Sequence, residues 1–282
     1  MAMRSSLILL AALTAAGAWS AAPSDLRLYD LRNSRSLTLA EAVPEILKSR
    51  IVLVGEQHTD SGHHRAQLKV IQVLAQAGAR IAIGLEMFRK DSQPALERWV
   101  AGDISPAEFE TIYDDNWNYP WPVYRPIFEY ARDHKIPMIG LNVPRDITRQ
   151  VARRGFQSLT EEQRGRLSDV SCSIDEEYMR YIRSVYGAHA HGNMNFTFFC
   201  EAQMVWDTAM AVHSLDFLKD APATTLLVIL AGVGHAQKGA VPRQIGLRSQ
   251  VPVTVLLPEV PGSIDPQTTE AQDADYLLLD LK

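Results

Sequence analysis

Ile51-Val52-Leu53-Val54-Gly55-Glu56-Gln57-His58 is the stretch that decides the fold. A strand with one wet face alternates apolar and polar residues. Here every position is apolar until a glycine, which reads as a strand buried on both faces of a sheet. The same phrase returns where Leu226-Leu227-Val228-Ile229-Leu230-Ala231 runs into Gly232-Val233-Gly234-His235. Three more short runs match it: Ile81-Ala82-Ile83, Ile136-Pro137-Met138-Ile139 and Val253-Thr254-Val255-Leu256-Leu257.

Helical start signals sit between these runs. Ser105-Pro106-Ala107-Glu108 is a capping box with proline at the first helical position, and Thr160-Glu161-Glu162-Gln163 and Ser173-Ile174-Asp175-Glu176 repeat the pattern. Strands alternating with helices predict an α/β fold, a three-layer α/β/α arrangement with a mainly parallel sheet. The stretch from about 144 to 218 reads as all-helical and predicts a lobe over that sheet. No repeat or long linker divides the chain, so 21–282 is expected to be a single domain.

In open α/β sheets ligands bind beyond the carboxyl ends of the strands. Four strand ends deliver Glu56, His58, Glu86, Asn142, Arg145 and His235 to one rim. Two Gly-x-x-His ends plus a glutamate from a third strand suggest chemistry; polar caps on a sheet edge are the plainer alternative. Asp60 or Ser61 is expected to cap a helix running through Leu68, Ile71 and Leu74, with His63 and Gln67 one turn apart and His64 beside them. A later helix carries Phe199, Gln203, Trp206, Met210, His213 and Phe217 as an apolar stripe, with Asp207 one turn beyond Gln203. Polar groups in such a stripe need partners, so Gln203 and Asp207 belong either to the core or to the supports of a cavity. His213 reads as structural, His134 as surface, and His189-Ala190-His191 as a solvated glycine-rich loop. The segment from Tyr113 through Trp117, Tyr119 and Trp121 to Tyr124 either packs onto the sheet or walls a flat ligand.

Composition narrows the classes. The hydrophobic fraction is 46% and the net charge −5, ordinary for a globular protein and without a basic field for nucleic acid. No Gly-x-Ser-x-Gly elbow, phosphate loop or dinucleotide fingerprint is present. A charged start, the apolar run Ser5–Ala16 and small residues to Ala21 predict a signal peptide over 1–20, export to the periplasm or envelope, and no lipidation cysteine. In an oxidising compartment Cys172 and Cys200 either stay separate or close a loop of about 28 residues, worth about 3 kcal/mol.

These motifs together resemble the ChaN-like haem-binding family, in the superfamily of Tiki/TraB proteins and erythromycin esterases. The matching pieces are Gly55-Glu56-Gln57-His58 with His63, His64 and Gln67; Gly84-Leu85-Glu86-Met87-Phe88 with Asp91 and Gln93; and Asn142-Val143-Pro144-Arg145. Ala202-Gln203, Trp206-Asp207, Met210-Ala211, Gly232 with His235, Val241-Pro242 and Ala274-Asp275-Tyr276 complete the match. The resemblance implies an envelope protein of haem-iron uptake, with haem held between subunits by tyrosine ligation. It implies a homodimer and envelope haem-uptake components as partners. Tyr113, Tyr119 and Tyr124 are the candidate ligands by context, and Arg145 a candidate partner for a propionate. The alternative is a hydrolase using Glu56, His58, Glu86 and His235. In that reading His58, Glu86 and His235 hold zinc, manganese or cobalt, or a histidine acts as general base.

Overall fold

The computed structural model describes residues 26–167, 169–187 and 195–281. The expected signal peptide and the His189/His191 pair lie outside the described residues. Strands are β1 (Arg27–Asp30), β2 (Arg35–Thr38), β3 (Ile51–Glu56), β4 (Arg80–Arg89), β5 (Met138–Asn142), β6 (Thr225–Gly232), β7 (Val253–Pro258) and β8 (Tyr276–Leu278). Helices are α1 (Leu39–Ile46), α2 (Ser61–Gln76), α3 (Gln93–Ala101), α4 (Pro106–Asn116), α5 (Trp121–Asp133) and α6 (Arg145–Arg154). There follow α7 (Glu161–Gly165), α8 (Glu176–Tyr186), α9 (Phe196–Asp220), α10 (Val233–Ala236) and α11 (Val241–Gly246).

All eight strands form one sheet in the order β2-β1-β8-β7-β3-β6-β4-β5. The run from β8 to β5 is parallel throughout. β1 runs antiparallel to both β8 and β2, and β2 forms the far edge. Alternation along each strand splits the core in two. Val52, Val54, Ile83, Leu85, Val228 and Leu230 pack under α1 to α5, whereas Ile51, Leu53, Ala82, Leu227, Ile229 and Val255 pack under α9 and α11. Helices cover both faces, giving the expected three layers.

The described residues of the 144–218 stretch are helical, as expected, and the 25-residue α9 ties them to the sheet. Met210, Ala211 and Leu218 of that helix join the sheet core, while Ala202, Val205 and Ala209 join a second cluster with α6. Among the described residues no helix is long and apolar enough to cross a membrane.

Several local expectations need correction. The strand read from Ile136 is β5 and begins at Met138, because Pro137 has no N–H to give a neighbour. The cap of α8 is Asp175 rather than Ser173, its carboxylate accepting from the Tyr178 N–H at 2.8 Å. Strands β1, β2 and β8 went unpredicted; all are four residues or fewer. Cys172 and Cys200 are free thiols that share one small apolar cluster. The aromatic segment is two helices, α4 and α5, joined by the turn 117–120.

Candidate functional site

β3 and β6 are neighbours in register, with Glu56 opposite Gly232. The two Gly-x-x-His ends therefore meet side by side, and β4 beside β6 brings Glu86. A cleft of about 460 Å³ opens there, walled by His58, Glu86, His235 and Gly232, with Trp117, Tyr119, Trp206, Asn142 and Gln203 around it.

Glu56 is wholly buried and anchors the first half. It accepts from His58 Nδ1 at 2.8 Å, from Gln67 Nε2 at 2.8 Å and, in a short bond, from the Tyr124 hydroxyl. His64 Nδ1 lies 3.2 Å from its other oxygen. Burial pushes this carboxyl up, but the bonds from His58 and His64 prevail and hold it at about 2. Gln67 also donates to the Val54 carbonyl, so its oxygen is the atom facing His64 Nδ1 at 3.1 Å. His64 Nε2 faces the His58 carbonyl at 3.1 Å. Both His64 nitrogens thus face acceptors, which requires two donors and fits an imidazolium paired with Glu56. Its pKa accordingly rises, burial notwithstanding.

His63 has a different task. Its Nδ1 accepts from the Gln57 N–H at 2.9 Å and fixes the turn before His58, and burial keeps its pKa low. Asp60 caps α2 by accepting from the Gly62 N–H at 2.7 Å. Of the two residues offered as caps, Asp60 is the one used.

The second half is assembled from the lobe. His235 Nδ1 donates to Asp207 Oδ1 at 2.6 Å, and Tyr178 donates to Asp207 Oδ2 at 2.5 Å. Burial pulls His235 down, but the Asp207 and Glu86 charges bring it up to about 9. His235 Nε2 points at Glu86 Oε1, 3.8 Å away. Glu86 is steadied by the Gly232 N–H, which donates to Oε2 at 2.6 Å. A Cβ on Gly232 would lie 3.1 Å from His58 Nε2 and 3.6 Å from Glu86 Oε2, so a bare backbone is needed here. Tyr181 adds a bond to the Gly234 carbonyl at 2.5 Å.

The cleft therefore holds two tyrosine–carboxylate–histidine chains. In each, the carboxylate fixes Nδ1 as the donor and aims Nε2 at the shared space. Such imidazoles suit proton transfer. Among the described residues no set of three His, Cys, Asp or Glu side chains converges in metal-holding geometry. The metal assignment to His58, Glu86 and His235 thus finds no support in the geometry.

The proposed haem residues separate sharply. Tyr113 and Tyr124 are fully buried, their hydroxyls donating to the Tyr119 carbonyl at 2.9 Å and to Glu56. Burial and the Glu56 charge raise both phenols, so neither readily becomes a phenolate. Tyr119 lies half-buried at the cleft with its ring 4.7 Å from His58, and its hydroxyl makes no bond among the described residues. Arg145 is engaged: its guanidinium donates to the Asn116 carbonyl at 2.6 Å and to Asn118 Oδ1 at 2.9 Å, clamping the turn that carries Trp117 and Tyr119. Asn142 braces β4 by donating to the Glu86 carbonyl at 2.7 Å. Gln203 lines the cleft, His213 donates to the Leu141 carbonyl at 2.7 Å, and His134 is exposed.

Sequence reasoning missed Tyr178, Tyr181 and the role of Trp206, which meets His235 edge-on at 5.8 Å. Tyr178, Tyr181 and Ile182 recur at spacings of three and four, an inward helix face that would have marked α8 as packed. Nothing in the sequence shows that this face meets Asp207.

Residues 42–245 match the family described as haem-binding uptake, Tiki superfamily, ChaN. ChaN of Campylobacter jejuni, solved with haem bound cofacially, superposes with a TM-score of 0.68 over 90% of this chain and 96% of that one, at 21% identity. Protein RETICULATA-RELATED 5, a chloroplastic protein of Arabidopsis thaliana, is 24% identical over 242 residues, 76% of this chain. The chain spans about a third of that relative, the shared part being 32% of its length. With the family matched over most of its length, the chain belongs to the ChaN haem-binding uptake family of the Tiki superfamily.

Proposed function

We propose that the chain binds ferric haem at the mouth of the cleft through Tyr119. Tyr119 carries this reading: of the three tyrosines singled out, it alone reaches the cleft with an unbonded hydroxyl. Its surroundings fit the group. Trp117 stands 5.4 Å from Tyr119 with the rings tilted by 47°, and meets His58 edge-on at 5.1 Å, so the rim offers aromatic surface to a porphyrin. A phenolate is a hard anionic donor and suits ferric iron. Bound haem would supply that iron, as cargo for uptake. The protein's part is to hold the tyrosine, stack on the ring and keep the His58 and His235 chains beneath it. A cofacial arrangement would join two copies, so sedimentation should show a dimer that forms only with haem. Export to the envelope rests on residues 1–20 alone, and N-terminal sequencing of the secreted chain tests it.

Ferric haem titration of the protein and of Tyr119→Phe, followed in the visible range, is the test. Saturable stoichiometric binding lost in the variant is expected. Non-saturating binding by the unaltered protein sinks the proposal.

A second reading is water activation. It is favoured by His235, whose Nε2 faces Glu86, and by His58, which lines the same cleft, a space large enough for a small substrate. Screening esters and peptides against the protein and a His58→Ala/His235→Ala control decides it. Hydrolysis equal in both would remove the cleft from consideration.

A further inference from the structure

Arg145 was the guanidinium expected to meet a haem propionate, and the structure commits it to the 116–118 turn. The helix it begins offers a substitute. Ile147, Thr148 and Val151 of α6 are buried, while Arg145, Arg149 and Arg153 recur every fourth residue on another face. Arg149, Arg153 and Arg154 are exposed. Among the described residues none of the three has an ion-pair or hydrogen-bond partner for its side chain. The one acid of α6, Asp146, is taken by Arg166 at 3.0 Å.

Helix polarity accounts for basic residues in the last turn, where Arg153 and Arg154 lie. It does not account for Arg149 in the middle. In a chain of net charge −5 an uncompensated row of arginines calls for an anion. The row starts at the aromatic rim, because Arg145 holds both flanks of Trp117 and sits beside the turn of Tyr119. Haem carries its two carboxylates on one edge of an otherwise apolar disc. Guanidinium groups one turn apart, with Cβ atoms about 5–6 Å from each other, suit such a pair.

We propose that Arg149 and Arg153 are the propionate anchors of the haem site, with the porphyrin face on Trp117 and Tyr119 and its acid edge along α6. The assignment rests on the haem reading above. It makes the protein selective for the free diacid over uncharged porphyrins.

Ferric protoporphyrin IX and its dimethyl ester test it, each titrated into the unaltered protein, Arg149→Ala, Arg153→Ala, Arg154→Ala and a double Arg149→Glu/Arg153→Glu variant. Each alanine on the row should weaken haem about fivefold, as expected for an exposed ion pair at the strong end of its range, and charge reversal should weaken it further. Binding of the ester should not change, and Arg154→Ala, off the row, should leave both ligands unaffected. Equal losses for haem and ester, or no loss for either, overturn the assignment while leaving haem binding intact. If the unaltered protein binds neither ligand saturably, the haem reading itself fails and the anchors fall with it.

Discussion

His58 and His235 both give Nδ1 to a buried carboxylate that also accepts a tyrosine hydroxyl, yet their supports are built differently. Glu56 is two residues from its histidine, on the same strand end, and is surrounded by His58, His64, Gln67 and Tyr124. Asp207 reaches His235 from α9, and Tyr178 reaches Asp207 from α8. The first carboxylate is over-supplied with donors and remains an anion far into acid. The second has two donors, and burial holds its pKa up. One half of the cleft is thus built on β3 and the helices α2 and α5 packed against it, whereas the other is built from α8 and α9 of the lobe.

The largest expected effect separates the halves by stability. Whichever way the amide of Glu56→Gln is turned, its NH2 faces two of the four buried donors around it, which should cost about 3–5 kcal/mol. Asp207→Asn should cost about 1–3 kcal/mol, because His235 can give up its proton. Urea denaturation measures both, and a costlier Asp207→Asn would reverse the comparison.

Dependence on pH should divide them next. The folded Glu56 pKa lies near 2, below its ordinary 4.5. Its stabilisation is present above 4.5 and lost as pH falls towards 2. His235 is raised from 6.5 to about 9, so its contribution is full below 6.5 and lost as pH rises through 9. Each limb is worth about 3 kcal/mol. Asp207→Asn should flatten the alkaline limb and leave the acid one. A variant that flattened neither would remove the charge on His235 from the explanation.

Tyrosine removal is a smaller probe. Tyr178→Phe takes one of two donors from Asp207 and should cost about 1–2 kcal/mol. It should also lower the His235 pKa seen by NMR titration, because the aligned carboxylate is loosened. Tyr124→Phe leaves Glu56 three donors and should leave the His58 titration nearly in place. The reverse ranking would mean that the lobe is the firmer support. Smallest is Arg145→Ala, about 1 kcal/mol or less, since its bonds are half-exposed. Its readout is faster proteolysis and altered tryptophan fluorescence at the 116–118 turn.

Much of this was legible because the sheet writes itself in unbroken apolar runs. The Glu56, His58, Glu86 and His235 rim follows from three strands ending together, and Gln203 and Asp207 were marked as polar groups in an apolar stripe. The aromatic segment was harder. Prolines at 106 and 122 start two helices, and once they form, Tyr113 and Tyr124 turn inward while the four-residue turn leaves Trp117 and Tyr119 at the cleft. That division depends on where the helices pack. Arg145 illustrates the same limit: its charge was visible, but its attachment to Asn116 and Asn118 is tertiary. Tyr178 was missed because its partner lies on another helix, 29 positions away.

The ferric haem spectrum of two variants side by side tests haem ligation most directly. Tyr119→Phe should lose the high-spin tyrosinate spectrum and most of the affinity. His58→Ala/His235→Ala should keep both, since each histidine is tied to its own carboxylate and Tyr119 would be the ligand. A tyrosinate spectrum that survives Tyr119→Phe, or one abolished by the histidine variant alone, would contradict the assignment of Tyr119.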